Sequence, residues 1–258
     1  MKIAFLQMDC VEGARGANRR RVEAAIADAV SAGAKLLALP ELWCSGYELS
    51  MAVRDKDWDK EFAWVVDHSK EIALLGGSLL EYHEGAFYNC AVAAENGREL
   101  NRYRKQHLFR PLHEHHHLGA GEHVPEVFEI AGLRAAMTIC YDLRFPEVYR
   151  PLALDKADLI HVPAQWPHAR IDHWRTLLMA RAIESQCYVL GVNRRGWYGE
   201  VEFPGHSLLI DPQGKVIVDA GDGPGIYYGE VDLSQVSEWR KSFPVLNDRR
   251  EDQYPTRA

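Results

Sequence analysis

The stretch Ala135-Ala136-Met137-Thr138-Ile139-Cys140-Tyr141-Asp142-Leu143-Arg144-Phe145-Pro146-Glu147 decides the fold. Its apolar run stops at a cysteine and turns polar, which reads as a buried strand ending in a turn, and Pro146 suits the first turn of a following helix. A thiol at such a junction is well placed for chemistry. Backbone N–H groups and the positive end of a helix favour both a thiolate and the oxyanion that its attack creates. A structural cysteine capping a buried strand gives the same local pattern, since free cysteine is among the most buried residue types.

Outward from this stretch the chain alternates strand and helix patterns. Toward the N-terminus, Met1–Gln7 reads as a first strand, and Val22, Ala25, Ile26, Ala29 and Val30 recur at the spacing of a helix that buries one face and stops at Gly33. Lys35–Leu39 shows little alternation, as expected for a strand covered on both faces, and it runs into Pro40-Glu41. A helix over Trp58–Ala73 precedes a strand over Leu74–Tyr82 that carries Gly76-Gly77. Two further strands, Tyr88–Ala94 and Arg98–Arg104, flank Asn96-Gly97, a strong hairpin signal that delivers Lys105 to the start of a loop. Toward the C-terminus, a helix over Arg144–Lys156, a strand over Asp158–Val162, a loop Pro163-Ala164-Gln165-Trp166-Pro167 and a helix over His173–Glu184 follow. The strand Cys187–Asn193, a turn at Asp211-Pro212-Gln213-Gly214, a strand Ile226–Val231 and a short helix near Trp239 complete the pattern. A single α/β domain over residues 1–246, with a charged tail from Asn247 to Ala258, is the economical reading.

Composition excludes several classes. The chain of 258 residues is long enough to bury a sizeable core, and 47% hydrophobic with 26% charged residues is ordinary for a soluble globular protein. A formal charge of −7 argues against nucleic acid as a partner. Five cysteines without a CxxC pair signal neither a disulfide framework nor a cysteine-type zinc site. No apolar run approaches the roughly 18 residues of a membrane span. Met1–Gln7 is too short for a signal peptide, so the cytoplasm is the expected compartment.

The loop from Lys105 to Pro125 carries His107, His113, His115, His116, His117 and His123, with Glu114 among them. Such a tract can bind metal, yet consecutive histidines give no fixed ligand spacing, and a long loop in a compact domain is more often a binding or active-site segment. Glu41, Lys105 and Cys140 each stand at or just past the end of a strand, where ligand sites of open α/β sheets gather. Together they suit one chemistry: a carboxylate takes the thiol proton, the thiolate attacks a carbon bonded to nitrogen, and a fixed ammonium stabilises the oxyanion.

Leu39-Pro40-Glu41, Tyr103–Phe109 and Ile139–Glu147 resemble, in order, the three signature segments of the nitrilase superfamily, the carbon–nitrogen hydrolases. The resemblance runs on through Arg181–Glu184 and Asp211–Gly214. It implies a four-layer α-β-β-α sandwich of two similar half-sheets, commonly a homodimer joined across helical faces, with no metal or organic cofactor. It carries Glu41 over as general base, Lys105 as oxyanion cation, Cys140 as nucleophile, Glu114 as a second glutamate orienting lysine and water, and the Tyr141 backbone N–H as a second oxyanion donor. The histidines near Glu114 then become residues lining an entrance.

Cys140–Glu147 with Pro163–Pro167 and His173-Trp174 is similar to the omega-amidase branch, which hydrolyses the distal amide of 2-oxoglutaramate and 2-oxosuccinamate. Such a small amide carries a remote carboxylate, for which Arg144, Arg110 and the Trp166 indole N–H are candidate partners, with Tyr47 as a lining residue. Arg144 is also near enough in sequence to Asp142 and Glu147 to be tied up with them. Another aliphatic amide, an N-carbamoyl compound or a nitrile is the alternative substrate. A histidine-rich metal-binding or pseudoenzyme scaffold is the alternative of a different class, against which the intact Glu41, Lys105 and Cys140 speak.

Overall fold

Hydrophobic runs buried on both faces call for a sheet covered twice, and the molecule supplies two such sheets stacked on each other. The computed structural model describes residues 1–254. In chain order, β1 (Lys2–Gln7), β2 (Leu36–Ala38), β3 (Ala73–His83), β4 (Ala86–Glu95) and β5 (Arg98–Arg104) belong to the first sheet. The second sheet takes β6 (Phe128–Ile130), β7 (Leu133–Met137), β8 (Leu159–Ala164) and β9 (Tyr188–Asn193). A separate hairpin of β10 (Arg195–Tyr198) and β11 (Val201–Pro204) follows; β12 (Leu208–Ile210) and β13 (Val216–Asp219) rejoin the second sheet, and β14 (Gly225–Glu230) pairs with β1 in the first. The helices are α1 (Arg15–Ser31), α2 (Leu49–Ala52), α3 (Asp59–His68), α4 (Pro146–Leu154), α5 (Ile171–Ser185) and α6 (Leu233–Ser242). No helix among the described residues is long and apolar enough to cross a membrane.

Each six-stranded sheet has three parallel strands, β1–β2–β3 in one and β7–β8–β9 in the other, extended by antiparallel neighbours. Alternation along the strands sorts the layers. Ile3, Phe5, Leu36, Ala38 and Leu75 join Ile160, Val162 and Leu190 in one core, whereas Ala4, Leu6, Leu37 and Leu74 pack beneath Val22, Ala25 and Ile26 of α1 and Phe62 and Val65 of α3. On the other side, Val148 and Leu152 of α4 and Trp174 and Leu178 of α5 cover the second sheet. Each large apolar side chain so buried contributes about 1.5–3 kcal/mol, so the four layers hold one another in place.

Several elements differ from the sequence expectation. Val30 is 42% exposed, on the edge of the α1 stripe rather than in it. The helix expected to reach Ala73 ends at His68, because Ser69 leaves it to clamp the β4–β5 hairpin: its carbonyl accepts from Asn96 N–H at 2.9 Å and its hydroxyl from Gly97 N–H at 3.0 Å. Pro163 and Ala164 belong to β8, not to the loop after it. The Arg195–Pro204 hairpin and the short β6 were absent from the sequence reading; Arg195–Tyr198 is partly exposed and carries no alternating pattern. The last four residues of the expected tail, 255–258, lie outside the described residues.

Within β8, His161 is wholly buried in the apolar core, and burial pushes its imidazole down to about 3. The unfolded chain therefore takes up a proton near pH 6.5 that the folded chain refuses until about pH 3. Stability from this source is intact at pH 7 and lost as pH falls, with a slope near 1.4 kcal/mol per pH unit inside that window. His161→Leu is expected to flatten the fall in unfolding free energy between pH 6 and 4 by about that slope, measured by urea denaturation at each pH. A variant with an unchanged slope contradicts the assignment.

Candidate active site

The turn after β2 presents Glu41 because β3 reaches over to hold it. Pro40 O accepts from Ser78 N–H (3.2 Å) and Leu42 N–H donates to Ser78 Oγ (3.0 Å), while Gly77, at φ +64°, lets the two backbones meet. A Cβ on Gly77 would stand 2.1 Å from Pro40 O, so no other residue fits there. Lys105 follows β5 directly, and its backbone N–H is tied to Asn89 O of β4 at 2.9 Å. Glu114 lies in the loop beyond, just after His113 at φ +58°. Cys140 begins a short 3-10 turn, Cys140–Arg144, before α4 and itself adopts φ +47°. A non-glycine residue held there costs on the order of 1–3 kcal/mol, which the surrounding hydrogen bonds must offset.

Those bonds come chiefly from Asp142. Its carboxylate accepts from Tyr103 Oη (2.8 Å) and Ile139 N–H (3.0 Å) through one oxygen, and from His107 N–H (3.0 Å) and Nδ1 (2.8 Å) through the other. The segment bearing Lys105 is thus bolted to the segment bearing Cys140.

Glu41, Lys105 and Glu114 converge with no exposed surface. Lys105 Nζ is 2.8 Å from Glu41 Oε1 and 3.0 and 2.9 Å from the two Glu114 oxygens. Asn89 Nδ2 donates to both carboxylates, at 2.8 Å to Glu41 and 3.2 Å to Glu114; Phe109 N–H donates to Glu114 at 2.6 Å and Gln165 N–H to Glu41 at 2.7 Å. Burial opposes the Lys105 charge, but the carboxylates of Glu114 and Glu41 outweigh it and hold the ammonium well above its ordinary range. Burial pushes Glu114 up, with Lys105 opposing and Glu41 reinforcing the shift. The Cys140 thiol is driven well up by burial and by Glu41, against Lys105. A thiol so disfavoured as thiolate needs a base to take its proton, the part that the sequence reading gives to a carboxylate. The thiol points toward Gln165 O at 3.9 Å, and the Tyr141 N–H meets no hydrogen-bond acceptor among the described residues.

Cys140 opens onto a narrow cleft lined by Phe109, Tyr141, Arg144, Gln165, Trp166, Pro167 and Arg170. Arg144 lies over the Trp166 ring at 4.8 Å and approaches His173 Nδ1 at 3.3 Å; it pairs with neither Asp142 nor Glu147. Partial burial, and the like charge of Arg170, push its guanidinium below the usual value. Among the described residues neither arginine has a carboxylate partner. Arg110 is exposed and outside this lining, and Arg170 occupies the cleft in its stead. The Trp166 indole N–H is already committed to Arg170 O at 2.7 Å, so this residue offers the cleft a ring face rather than a donor. Tyr47 is buried beside the charged cluster and packs on Tyr198 at 6.0 Å.

None of the loop histidines lines the cleft. His113 and His115 pack on His116 at 5.1 and 4.2 Å, and no group of three or more metal-ligand residues is disposed around a common point among the described residues. Asn89, Gln165 and Arg170 received no role from sequence; Gln165 and Arg170 follow an apolar strand, a signal that could have flagged them.

The carbon–nitrogen hydrolase family model matches residues 2–241. The chain belongs to the carbon–nitrogen hydrolase family. This hydrolase is 38% identical over 257 residues to a 2-oxoglutaramate amidase of Bacillus subtilis, covering 98% of each chain. It is 34% identical over 255 residues to the omega-amidase YafV of Escherichia coli K12, covering 97% of each. Its fold superposes with a TM-score of 0.90 and 29% identity on XC1258 from Xanthomonas campestris, a CN-hydrolase superfamily protein crystallised with an arsenic adduct in its active site; the match covers 100% of this chain and 99% of that one.

Because Asp142 carries charge-assisted bonds worth about 1.5–3 kcal/mol each, Asp142→Asn is expected to lower Tm and to slow Cys140 alkylation together. Thermal melts and iodoacetamide kinetics measure both. Loss of neither contradicts the bracing role.

Proposed function

We propose that this carbon–nitrogen hydrolase is an omega-amidase that cleaves the distal amide of 2-oxoglutaramate, and of 2-oxosuccinamate, to the 2-oxo diacid and ammonia. One observation carries the reading: a buried thiol backed by a Glu–Lys–Glu cluster opens onto a small cleft that holds two arginines without carboxylate partners among the described residues. A compact linear amide with an anionic far end satisfies both halves. The names of the Bacillus and Escherichia relatives point to the same substrate class.

The proposed roles follow from the geometry. Glu41 takes the Cys140 proton as sulfur attacks the amide carbonyl, which explains why a neutral thiol suffices. Lys105 and the Tyr141 N–H receive the oxyanion. Collapse breaks the C–N bond, the proton held by Glu41 leaves with the amine as ammonia, and a thioester remains on Cys140. Glu41 then deprotonates water, which attacks the thioester; a second collapse frees the carboxylate product and returns a proton to sulfur. Glu114 and Asn89 keep Lys105 in place. Arg144 and Arg170 grip the remote carboxylate, with Trp166 as a wall; Tyr47, expected as a lining residue, is buried outside the cleft lining.

Residues 1–246 act as one catalytic unit, with residues from 247 an appendage. Five free cysteines suit the reducing cytoplasm. Two copies pair through the outer faces of α4 and α5, where Leu154 and Ile183 are 40% and 51% exposed.

Ammonia release from 2-oxoglutaramate, 2-oxosuccinamate, glutamine, asparagine, an N-carbamoyl amino acid, propionamide and a nitrile is the test. Turnover is expected for the 2-oxo amides and none with Cys140→Ala. Arg144→Ala and Arg170→Ala should each raise KM for 2-oxoglutaramate about 10- to 100-fold, the loss of one charge-assisted bond. Equal kcat/KM for propionamide overturns the substrate assignment.

A further inference from the structure

One buried cation next to the site has no part in the proposed reaction. Arg194 follows β9 directly, has no exposed surface, and donates through Nη1 to Glu12 Oε1 (2.8 Å) and Gln165 Oε1 (2.9 Å) and through Nη2 to Asp9 Oδ1 (3.2 Å). Asp9 and Glu12 lie between β1 and α1, in the first sheet's half of the molecule; Gln165 and Arg194 end neighbouring strands of the second. An ion pair joining loops would need only the two carboxylates. The bond to Gln165 is additional, and Gln165 is the residue between base and nucleophile.

Gln165 grips Glu41 twice, through Nε2 to the Glu41 carbonyl (2.9 Å) and through its backbone N–H to the Glu41 carboxylate (2.7 Å), and its own carbonyl faces the Cys140 thiol at 3.9 Å. A primary amide is almost symmetrical in shape, so its partners decide which end is oxygen. Guanidinium only donates. With Arg194 on one side, Oε1 must turn to it, and Nε2 is left for the Glu41 carbonyl, which can only accept. Reversed, the amide would set donor against donor and acceptor against acceptor.

We infer that Arg194 is a positioning residue: by fixing the amide orientation of Gln165, it sets the placement of the Glu41 carboxylate relative to the Cys140 thiol. This rests on the roles proposed for Glu41 and Cys140. It predicts that what matters at position 194 is a group that donates and never accepts, rather than bulk or stability alone.

Arg194→Lys keeps that property, and Arg194→Gln fills space but can present either end of its own amide. The measurements are Tm, kcat and KM for 2-oxoglutaramate per titratable thiol, and the rate of Cys140 alkylation by iodoacetamide, which needs no amide substrate. Arg194→Gln is expected to lower kcat and the alkylation rate about 10- to 100-fold with KM within about twofold, as for a displaced reacting group, and Arg194→Lys to recover most of both. In a Gln165→Ala background, Arg194→Gln should change neither rate further. Equal rates for the Lys and Gln variants, or losses that add to that of Gln165→Ala, overturn the inference and leave Arg194 an ion pair between loops. Should Arg194→Gln not fold, Gln165→Glu, which leaves Arg194 its acceptor but removes the donor to Glu41, must show the same loss; full activity overturns the inference. Absence of ammonia from the wild-type chain with a normal alkylation cycle would instead count against the proposed substrate.

Discussion

A single ammonium held between two carboxylates, all three without exposed surface, is the constraint on which the rest depends. Removing one partner of such a buried set leaves an unpaired charge, at about 3–5 kcal/mol. The fold therefore has to deliver Glu41, Lys105 and Glu114 from three separate segments to within hydrogen-bond distance. It does so through backbone devices: the β4–β5 hairpin sets the register that brings Lys105 beside Asn89, the contact at Gly77 holds the Glu41 turn, and a left-handed His113 turns the chain into Glu114. Asn89, between the two carboxylates, spends both amide protons on keeping them apart and oriented.

The same cluster determines how the thiol behaves. Burial and Glu41 both disfavour a thiolate, against Lys105, so attack by Cys140 calls for a base. The cleft in front carries the opposite electrostatic character. Two arginines face it in a chain whose formal charge is −7, so the anionic end of a ligand is attracted to this spot rather than to the surface at large. In the proposed mechanism the base and acid chemistry lies behind the sulfur and anion recognition in front.

Strand and helix order and the strand-end positions of Glu41, Lys105 and Cys140 were legible because they follow from local pattern, apolar runs that stop at a polar residue and the Asn96-Gly97 turn; the two stacked sheets were legible only through family resemblance. Glu114 was legible through family resemblance, since its loop has no period to read. Arg110 was expected in the cleft and Arg170 is there, because the path of the loop after Phe109 depends on long-range bonds such as Phe109 N–H to Glu114 that no local pattern encodes. Trp166 was read as a donor, yet its N–H is used by its own turn. Asn89 and Gln165 went unassigned for a related reason: an amide in a strand or loop acquires meaning only from what it faces. The β10–β11 hairpin, partly exposed and without alternation, gave no signal of its own.

The most direct test is acid-quenched peptide mass spectrometry of the enzyme caught during turnover of 2-oxoglutaramate. The account predicts one modified peptide, containing Cys140, heavier by the substrate less ammonia. An acyl group on Cys10, Cys44, Cys90 or Cys187, or undiminished turnover by Cys140→Ala, would contradict it.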